Sequence, residues 1–169
     1  MTYERFEDLP VWKDAVHFAV DAFLLTEDKA FRFKVDIANQ LQRAAFSISS
    51  NVAEGFERGT TPKLLTFLYI ARGSAGESRS ILCVCERLPF FEHLKAQISN
   101  LKLRGESISR QLRAWADSLQ NSGIKGQRYL MDQTREKAAQ QKRADEFMQK
   151  LKAMTPHLYH PTLDSGVAK

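Results

Sequence analysis

Apolar residues recur at spacings of three and four along four stretches of this chain, the pattern of helices that bury one face each. The clearest stretch holds Leu94, Ile98, Leu101, Gly105, Ile108, Leu112, Trp115 and Leu119, alternating by four and three with only Gly105 interrupting the apolar series. About 30 residues at ~1.5 Å each predict a rod of roughly 45 Å, long enough for a bundle helix. Ahead of it, Leu64, Leu68, Ala71, Ala75, Ser78, Leu82 and Cys85 keep a heptad-like spacing. Thr61 as N-cap, with Pro62 at the first helical position, predicts the start of that helix, and Pro89 its end. Ile37, Leu41, Ala44, Ala45, Ile48 and Val52 predict a further helix over about 36–54. Gly55 then sits where a C-capping glycine in the left-handed region belongs. Pro10 opens the first helix, and Trp12, Val16, Ala19 and Phe23 form its expected core stripe, with Ala15 and Ala22 beside it. Thr26 to Lys29 is the expected link to the second helix, and Phe31 and Phe33 the plugs of the bundle end.

The second and third helices are unusually rich in small residues. Ala71 to Gly76 holds five in six, with glycines at positions 73 and 76. An interior helical glycine costs on the order of 1 kcal/mol relative to alanine. Close contact with the small-residue face of the second helix is the expected compensation. A polar line, Arg43, Ser47, Asn51 and Glu54, runs beside that face. Ser74 and Glu77 are its expected partners, in a network that satisfies buried polar groups and fixes helix register.

Beyond Gly123 the pattern changes. Gly123 to Gly126 reads as a hinge, residues 127–153 as a helix with a thin apolar line through Leu130, Phe147 and Leu151, and the segment from Thr155 as a mobile end. The predicted fold is all-α: an antiparallel up-down four-helix bundle over residues 1–122, with a basic helical C-terminal extension and tail over 123–169.

Charge separates the two halves. Residues 1–90 hold 11 Lys/Arg against 12 Asp/Glu, and residues 91–169 hold 14 against 8, within a total net charge of +5. That bias points to acidic partners, RNA first. Arg58, Lys63, Arg72 and Arg79 lie on or near the second and third helices, Lys102, Arg104, Arg110 and Arg113 on the fourth, and Arg128 and Arg135 in the extension. Together they are the candidate phosphate-tracking surface, alongside Lys137, Lys142, Arg143, Lys150 and Lys152. No aromatic RNA-binding motif accompanies them, so the expected recognition is of shape and charge rather than bases.

Catalytic chemistry finds little footing. A di-iron bundle needs two Glu-x-x-His motifs and two more glutamates. The nearest element here is a single Asp14-x-x-His17. No serine sits in a nucleophile elbow and no phosphate loop follows a strand. Cys83 and Cys85 stand two apart on a helix, facing nearly opposite ways, and read as reduced packing residues. The expectation is a non-enzymatic chain with no metal and no cofactor. No secretory signal and no run of ~18 apolar residues is visible, so the expected location is cytoplasmic, with no membrane partner.

The run Gln40-Leu41-x-Arg43-Ala44-Ala45-x-Ser47-Ile48-x-x-Asn51-Val52-Ala53-Glu54-Gly55 resembles the signature of the four-helix-bundle family of rRNA-intervening-sequence proteins, which includes Avd, the accessory variability determinant of diversity-generating retroelements. Phe67-Leu68-x-Ile70-Ala71-Arg72-Gly73-Ser74-Ala75-x-Glu77 is similar to the family's third helix, and Phe6-x-Asp8-Leu9-x-Val11-Trp12-x-x-Ala15 to its first. The resemblance covers roughly residues 5–121. It implies a homo-oligomer, a pentameric ring in described members, and for the Avd branch a reverse transcriptase and its template RNA as partners. The exposed-face apolar residues Phe46, Phe56 and Tyr69 fit self-association. The expected function is thus an oligomeric accessory protein that binds structured RNA. The alternative is a protein-interaction scaffold without nucleic acid.

Overall fold

The computed structural model describes residues 3–123 and 127–154, with the backbone alone at 127–135, 138, 152 and 153. All described regular structure is helical: α1 Pro10–Thr26, α2 Val35–Glu57, α3 Thr61–Arg87, α4 Lys95–Gln120 and α5 Gln127–Met154, with short 3-10 turns at Phe6–Asp8, Lys29–Phe31 and Pro89–Leu94. The chain divides into two compact units, Met1–Arg128 and Tyr129–Lys169.

In the first unit α2 packs on α1 and α3, and α4 packs on α3 and α1. Paired residues run in opposite senses along these seams. Gln111 donates to Asp14 at 2.8 Å, Arg104 pairs with Asp21, and His93 lies 3.0 Å from Asp28. Across α2 and α3, Ser47 meets Ser74 while Gly55 faces Phe67. The core is built from the stripes of α2, α3 and α4: Leu41, Ala45, Ile48, Val52, Leu68, Ala71, Ala75, Leu82, Cys85, Ile98, Leu101, Ile108 and Leu112 are all buried. Gly105 belongs among them because a Cβ there would lie 3.0 Å from Arg79 Cγ and 3.3 Å from Phe18 Cε2. The α4 rod is 26 residues, roughly 39 Å, shorter than the sequence suggests because Pro89–Leu94 winds as a 3-10 turn.

Several local expectations change. The buried stripe of α1 is Val11, Ala15, Phe18, Ala19, Ala22 and Leu25. Ala19 of the predicted stripe is buried with its neighbours Ala15 and Ala22, but Trp12 and Val16 are only partly buried and Phe23 is exposed, so the large residues of that stripe lie at the margin of the core. Gly55 is not a cap: α2 continues to Glu57, and the glycine with positive φ is Gly59, at 66°. Gly55 is needed instead because its absent Cβ would come 2.7 Å from Phe67 Cβ. The α3 N-cap is Thr60, one residue before Thr61. Gly73 and Gly76 face outward, with nothing within 4 Å of a Cβ, so they do not form the close contact expected of them. Only Phe31 plugs the bundle end, its ring 4.5 Å from that of Phe91, while Phe33 is 84% exposed.

In the second unit α5 is one helix of 28 residues. Phe147, Met148 and Met154 are exposed along it. Of the expected hinge at Gly123 to Gly126 only Gly123 is described, and residues 124–126 and the tail from Thr155 lie outside the described residues.

Candidate interaction surfaces

The first unit carries three distinct surfaces, of which the first is the polar seam between α2 and α3. Ser47 Oγ and Ser74 Oγ are 3.0 Å apart. Asn51 Nδ2 donates to Ser47 Oγ at 2.9 Å and to the Ser47 carbonyl at 2.7 Å, while Ser74 and Ser78 donate back to the carbonyls of Ile70 and Ser74. Small side chains on both helices allow hydroxyls to meet across the seam, and every buried side-chain polar atom among the described residues is satisfied. The ends of the line behave differently. Glu54 bonds Arg58 on its own helix, and Arg43 and Glu77 border a shallow recess of about 340 Å³ with Gln40 and Ser47.

The basic residues are the second surface. Arg58 is held by Glu54 and stacks over Phe67, its guanidinium 4.7 Å from the ring centroid. Arg79 reaches Glu106 at 3.9 Å, Arg110 bonds the same carboxylate at 2.7 Å, and Arg113 pairs with Asp117 at 3.5 Å. Lys102 bonds Glu86, which also accepts from Ser99. That bond from Lys102, then that from Ser99, draws the Glu86 carboxyl below its usual range, and Glu86 raises the lysine in turn. Helical spacing puts Lys102, Glu106, Arg110 and Arg113 on the α3 side of α4, beside Arg72 and Arg79. Arg104 points the other way, to Asp21 on α1. Lys63 is exposed near the start of α3. So six of the eight candidate cations in this unit, Lys63 and Arg72 aside, already face a carboxylate. They occupy two faces rather than one. The exposed pairs among them, those of Arg58, Arg79, Arg110 and Arg113, are worth ~0–1 kcal/mol each, little obstacle to exchange for a phosphate. The balance over residues 1–122 is nonetheless 16 Lys/Arg against 15 Asp/Glu. The excess lies beyond it, 9 against 5 over 123–169. On α5, Lys137, Lys142, Arg143 and Lys150 are exposed, among Glu136, Asp145 and Glu146. The side chains of Arg128 and Arg135 lie outside the described residues.

The third surface is an apolar groove of about 640 Å³ between α1 and α2, walled by Trp12, Val16, Val20, Phe23, Leu24 and Phe46, with Phe6 at one end and Ala53 and Ser50 along its floor. Phe46 is 60% and Leu24 65% exposed. Contiguous apolar surface of this kind marks a docking site more often than an accident of folding. Sequence spacing assigned Trp12, Val16 and Phe23 to the core and so missed the groove. The signal was present in the second apolar stripe of α1, Val11, Ala15, Phe18, Ala22 and Leu25, for a helix with two apolar faces must show one of them to something else.

No group of three or more His, Cys, Asp or Glu residues is placed to hold a metal ion among the described residues. Asp14 of the Asp14-x-x-His17 pair instead accepts from Gln111. Cys83 is half-buried and Cys85 buried, and desolvation pushes the Cys85 thiol up to about 11. No described helix is long and apolar enough to cross a membrane.

The family model for the 23S rRNA-intervening sequence protein matches residues 7–114. The chain belongs to that family. No curated protein matches it. In this 23S rRNA-intervening sequence protein the matched segment runs from the turn before α1 to Ala114 on α4. It takes in the polar seam, the groove and most of the α3–α4 basic face. Helix α5, where exposed cations stand beyond the near-neutral bundle, follows the matched segment.

Proposed function

We propose that this chain is a non-enzymatic, homo-oligomeric accessory protein that associates with structured RNA. The observation that carries the reading is membership of the 23S rRNA-intervening sequence family over most of the bundle. The charge distribution supports it and favours contact through the extension. A bundle with 16 basic and 15 acidic residues offers little net field, whereas residues 123–169 add an excess of four positive charges. The extension therefore supplies most of the phosphate contact, through Lys137, Lys142, Arg143 and Lys150, with Arg128 and Arg135 on the same helix. The Arg72, Arg79, Lys102, Arg110 and Arg113 face, with Arg58 and Lys63 near its margin and Arg104 on the opposite side, is secondary. With no base-reading group evident, binding is driven by shape and backbone charge. The self-association that the family likeness implies, as a pentameric ring, would repeat these weak contacts and strengthen them through effective concentration. Were the chain of the Avd branch, a reverse transcriptase would join the RNA as partner.

The α1–α2 groove favours a second reading, a protein-interaction scaffold that needs no nucleic acid. Two triple reversals in the full chain separate these. Lys142→Glu, Arg143→Glu and Lys150→Glu together should weaken binding to a structured RNA several-fold and flatten its salt dependence by roughly one log–log unit for each phosphate no longer neutralised. Arg104→Glu, Arg110→Glu and Arg113→Glu should weaken it less. An equal effect of both sets would spread the contact over bundle and extension alike, a larger effect of the second set would move it to the bundle, and no RNA binding by the parent chain would leave the scaffold reading.

A further inference from the structure

The corner between α1 and α2 presents a feature as unusual as the groove. Phe31 turns inward onto Phe91, and Phe33, two residues on, is 84% exposed. Val35 and Phe90 are exposed beside it. Cations dress this knob: the Arg32 guanidinium lies 5.9 Å from the Phe33 ring centroid and the Lys34 amine 4.9 Å from that of Phe90. Residues 29–34 carry Lys29, Arg32 and Lys34 and no carboxylate. The corner is also fixed in shape. Asp28 accepts from the Ala30 N–H at 2.8 Å and meets His93 at 3.0 Å, and the Lys34 N–H donates to the Phe31 carbonyl at 2.8 Å.

The groove has the opposite character in both shape and charge. It is concave and apolar, and its α1 wall from Trp12 to Leu24 is roughly 18 Å long. Asp14 and Asp21 turn to Gln111 and Arg104 of α4 and Glu54 to Arg58, which leaves Glu27 and Glu57 for the groove, with Arg43 beside Phe23 and Phe46. Glu27 stands one turn beyond Leu24 and Glu57 one turn beyond Ala53, exposed at the groove's two ends.

We infer that the groove of one copy receives the Arg32-Phe33-Lys34 knob of a second copy, Phe33 entering among Val20, Phe23 and Phe46 while Arg32 and Lys34 approach Glu27 at that end of the groove. The inference rests on the self-association contained in the proposed function and specifies its interface. A symmetric pairing of groove on groove would set two concave walls face to face. A knob of one copy in the groove of the next matches shape and charge, and makes the contact heterologous, so each molecule uses two different surfaces. It also accounts for an aromatic side chain left 84% exposed on a hydrogen-bonded corner between two cationic residues.

A heterologous contact makes a distinctive prediction for mixtures. The full chain should show by light scattering a mass several times 19.3 kDa at micromolar concentration. Phe33→Ser removes the knob and Phe46→Lys sets a cation in the groove. Both positions are exposed, so both variants should keep the parent's helical signal and melting temperature. Each alone should run as a monomer. Mixed in equal amounts they should form a heterodimer of twice 19.3 kDa, one intact knob in one intact groove, and go no further. Leu24→Lys serves as a second groove variant if Phe46→Lys loses its fold. A Phe33→Ser chain that keeps the parent's mass overturns the inference, as does a mixture that stays monomeric. A monomeric parent overturns it together with self-association, whereas a parent that assembles but binds no RNA removes only the RNA reading.

Discussion

Replacing Gly55 and Gly73 by alanine should move stability in opposite directions, although both glycines lie inside helices. Each substitution gains helix propensity worth about 1 kcal/mol in an interior position. At Gly73 an added Cβ meets nothing within 4 Å, so the gain stands. At Gly55 the new carbon would lie 2.7 Å from Phe67 Cβ, 3.2 Å from Leu64 Cδ1 and 3.4 Å from the Leu64 carbonyl oxygen. Carbon pairs prefer about 3.5–4.0 Å, and Phe67 Cβ is fixed to the α3 backbone, so relief requires α3 to withdraw from α2. Such overpacking typically costs about 1–3 kcal/mol, which leaves a net loss of about 1 kcal/mol after the propensity gain. At roughly 2–4 °C per kcal/mol, Gly73→Ala should melt a few degrees above the parent and Gly55→Ala a few degrees below it. Thermal melts followed by circular dichroism, with denaturant titrations to check the free energies, measure both. A Gly55→Ala chain that melts with Gly73→Ala would refute the close approach of α2 and α3. Gly55→Asn separates close approach from capping: a C-cap tolerates asparagine, whereas at a crowded seam it should be worse than alanine.

Further outcomes follow from single side chains. Phe18→Ala, buried against Gly105, should cost about 3–5 kcal/mol, while Phe23→Ala on the exposed stripe should stay within about 1 kcal/mol, read from the same denaturant curves. The Ala30 N–H, then His93, hold the Asp28 carboxyl below its usual range. Its folded-state value thus lies under the unfolded one, near ~3.9, so its contribution is present above that pH and lost as pH falls through the depressed value. Asp28→Asn should flatten the acid limb of a stability–pH profile, and an unchanged limb would show that the clasp contributes nothing. Alkylation at pH 8 followed by mass spectrometry should modify Cys83 quickly and Cys85 slowly, because burial keeps the latter a thiol; equal rates would mean that α3 opens.

The bundle was legible where one stripe carried the apolar residues. Helices α2, α3 and α4 each have a single such line, from Leu41 to Val52, from Leu68 to Cys85 and from Ile98 to Leu112, and those lines are the core. Helix α1 has two. Trp12, Val16 and Phe23 reach Ala19 by the same spacing that links Val11, Ala15, Phe18, Ala22 and Leu25, and size favours the former, of which only Ala19 is buried. Alanines face inward because α1 sits close to its neighbours, a tertiary fact that spacing does not carry. The glycines failed for a related reason. Between Gly55 and Gly59 only backbone conformation tells the capping residue from the packing one, and at Gly73 only the neighbour's position shows that space is open. The Ser47, Asn51 and Ser74 cluster was readable because side chains four apart on one helix must meet whatever lies opposite. The ion pairing of Arg79, Lys102 and Arg104 was not, since it depends on which residues of another helix come level with them.

Association with structured RNA through backbone charge can be read from a single titration. Binding of the full chain to a structured RNA should be measured by filter retention between ~50 and ~200 mM salt, where each neutralised phosphate contributes close to one unit of slope. Binding should occur at micromolar protein and ~50 mM salt and weaken steeply as salt rises, with duplex DNA of equal charge competing. No binding at ~50 mM salt, or binding indifferent to salt, would contradict it.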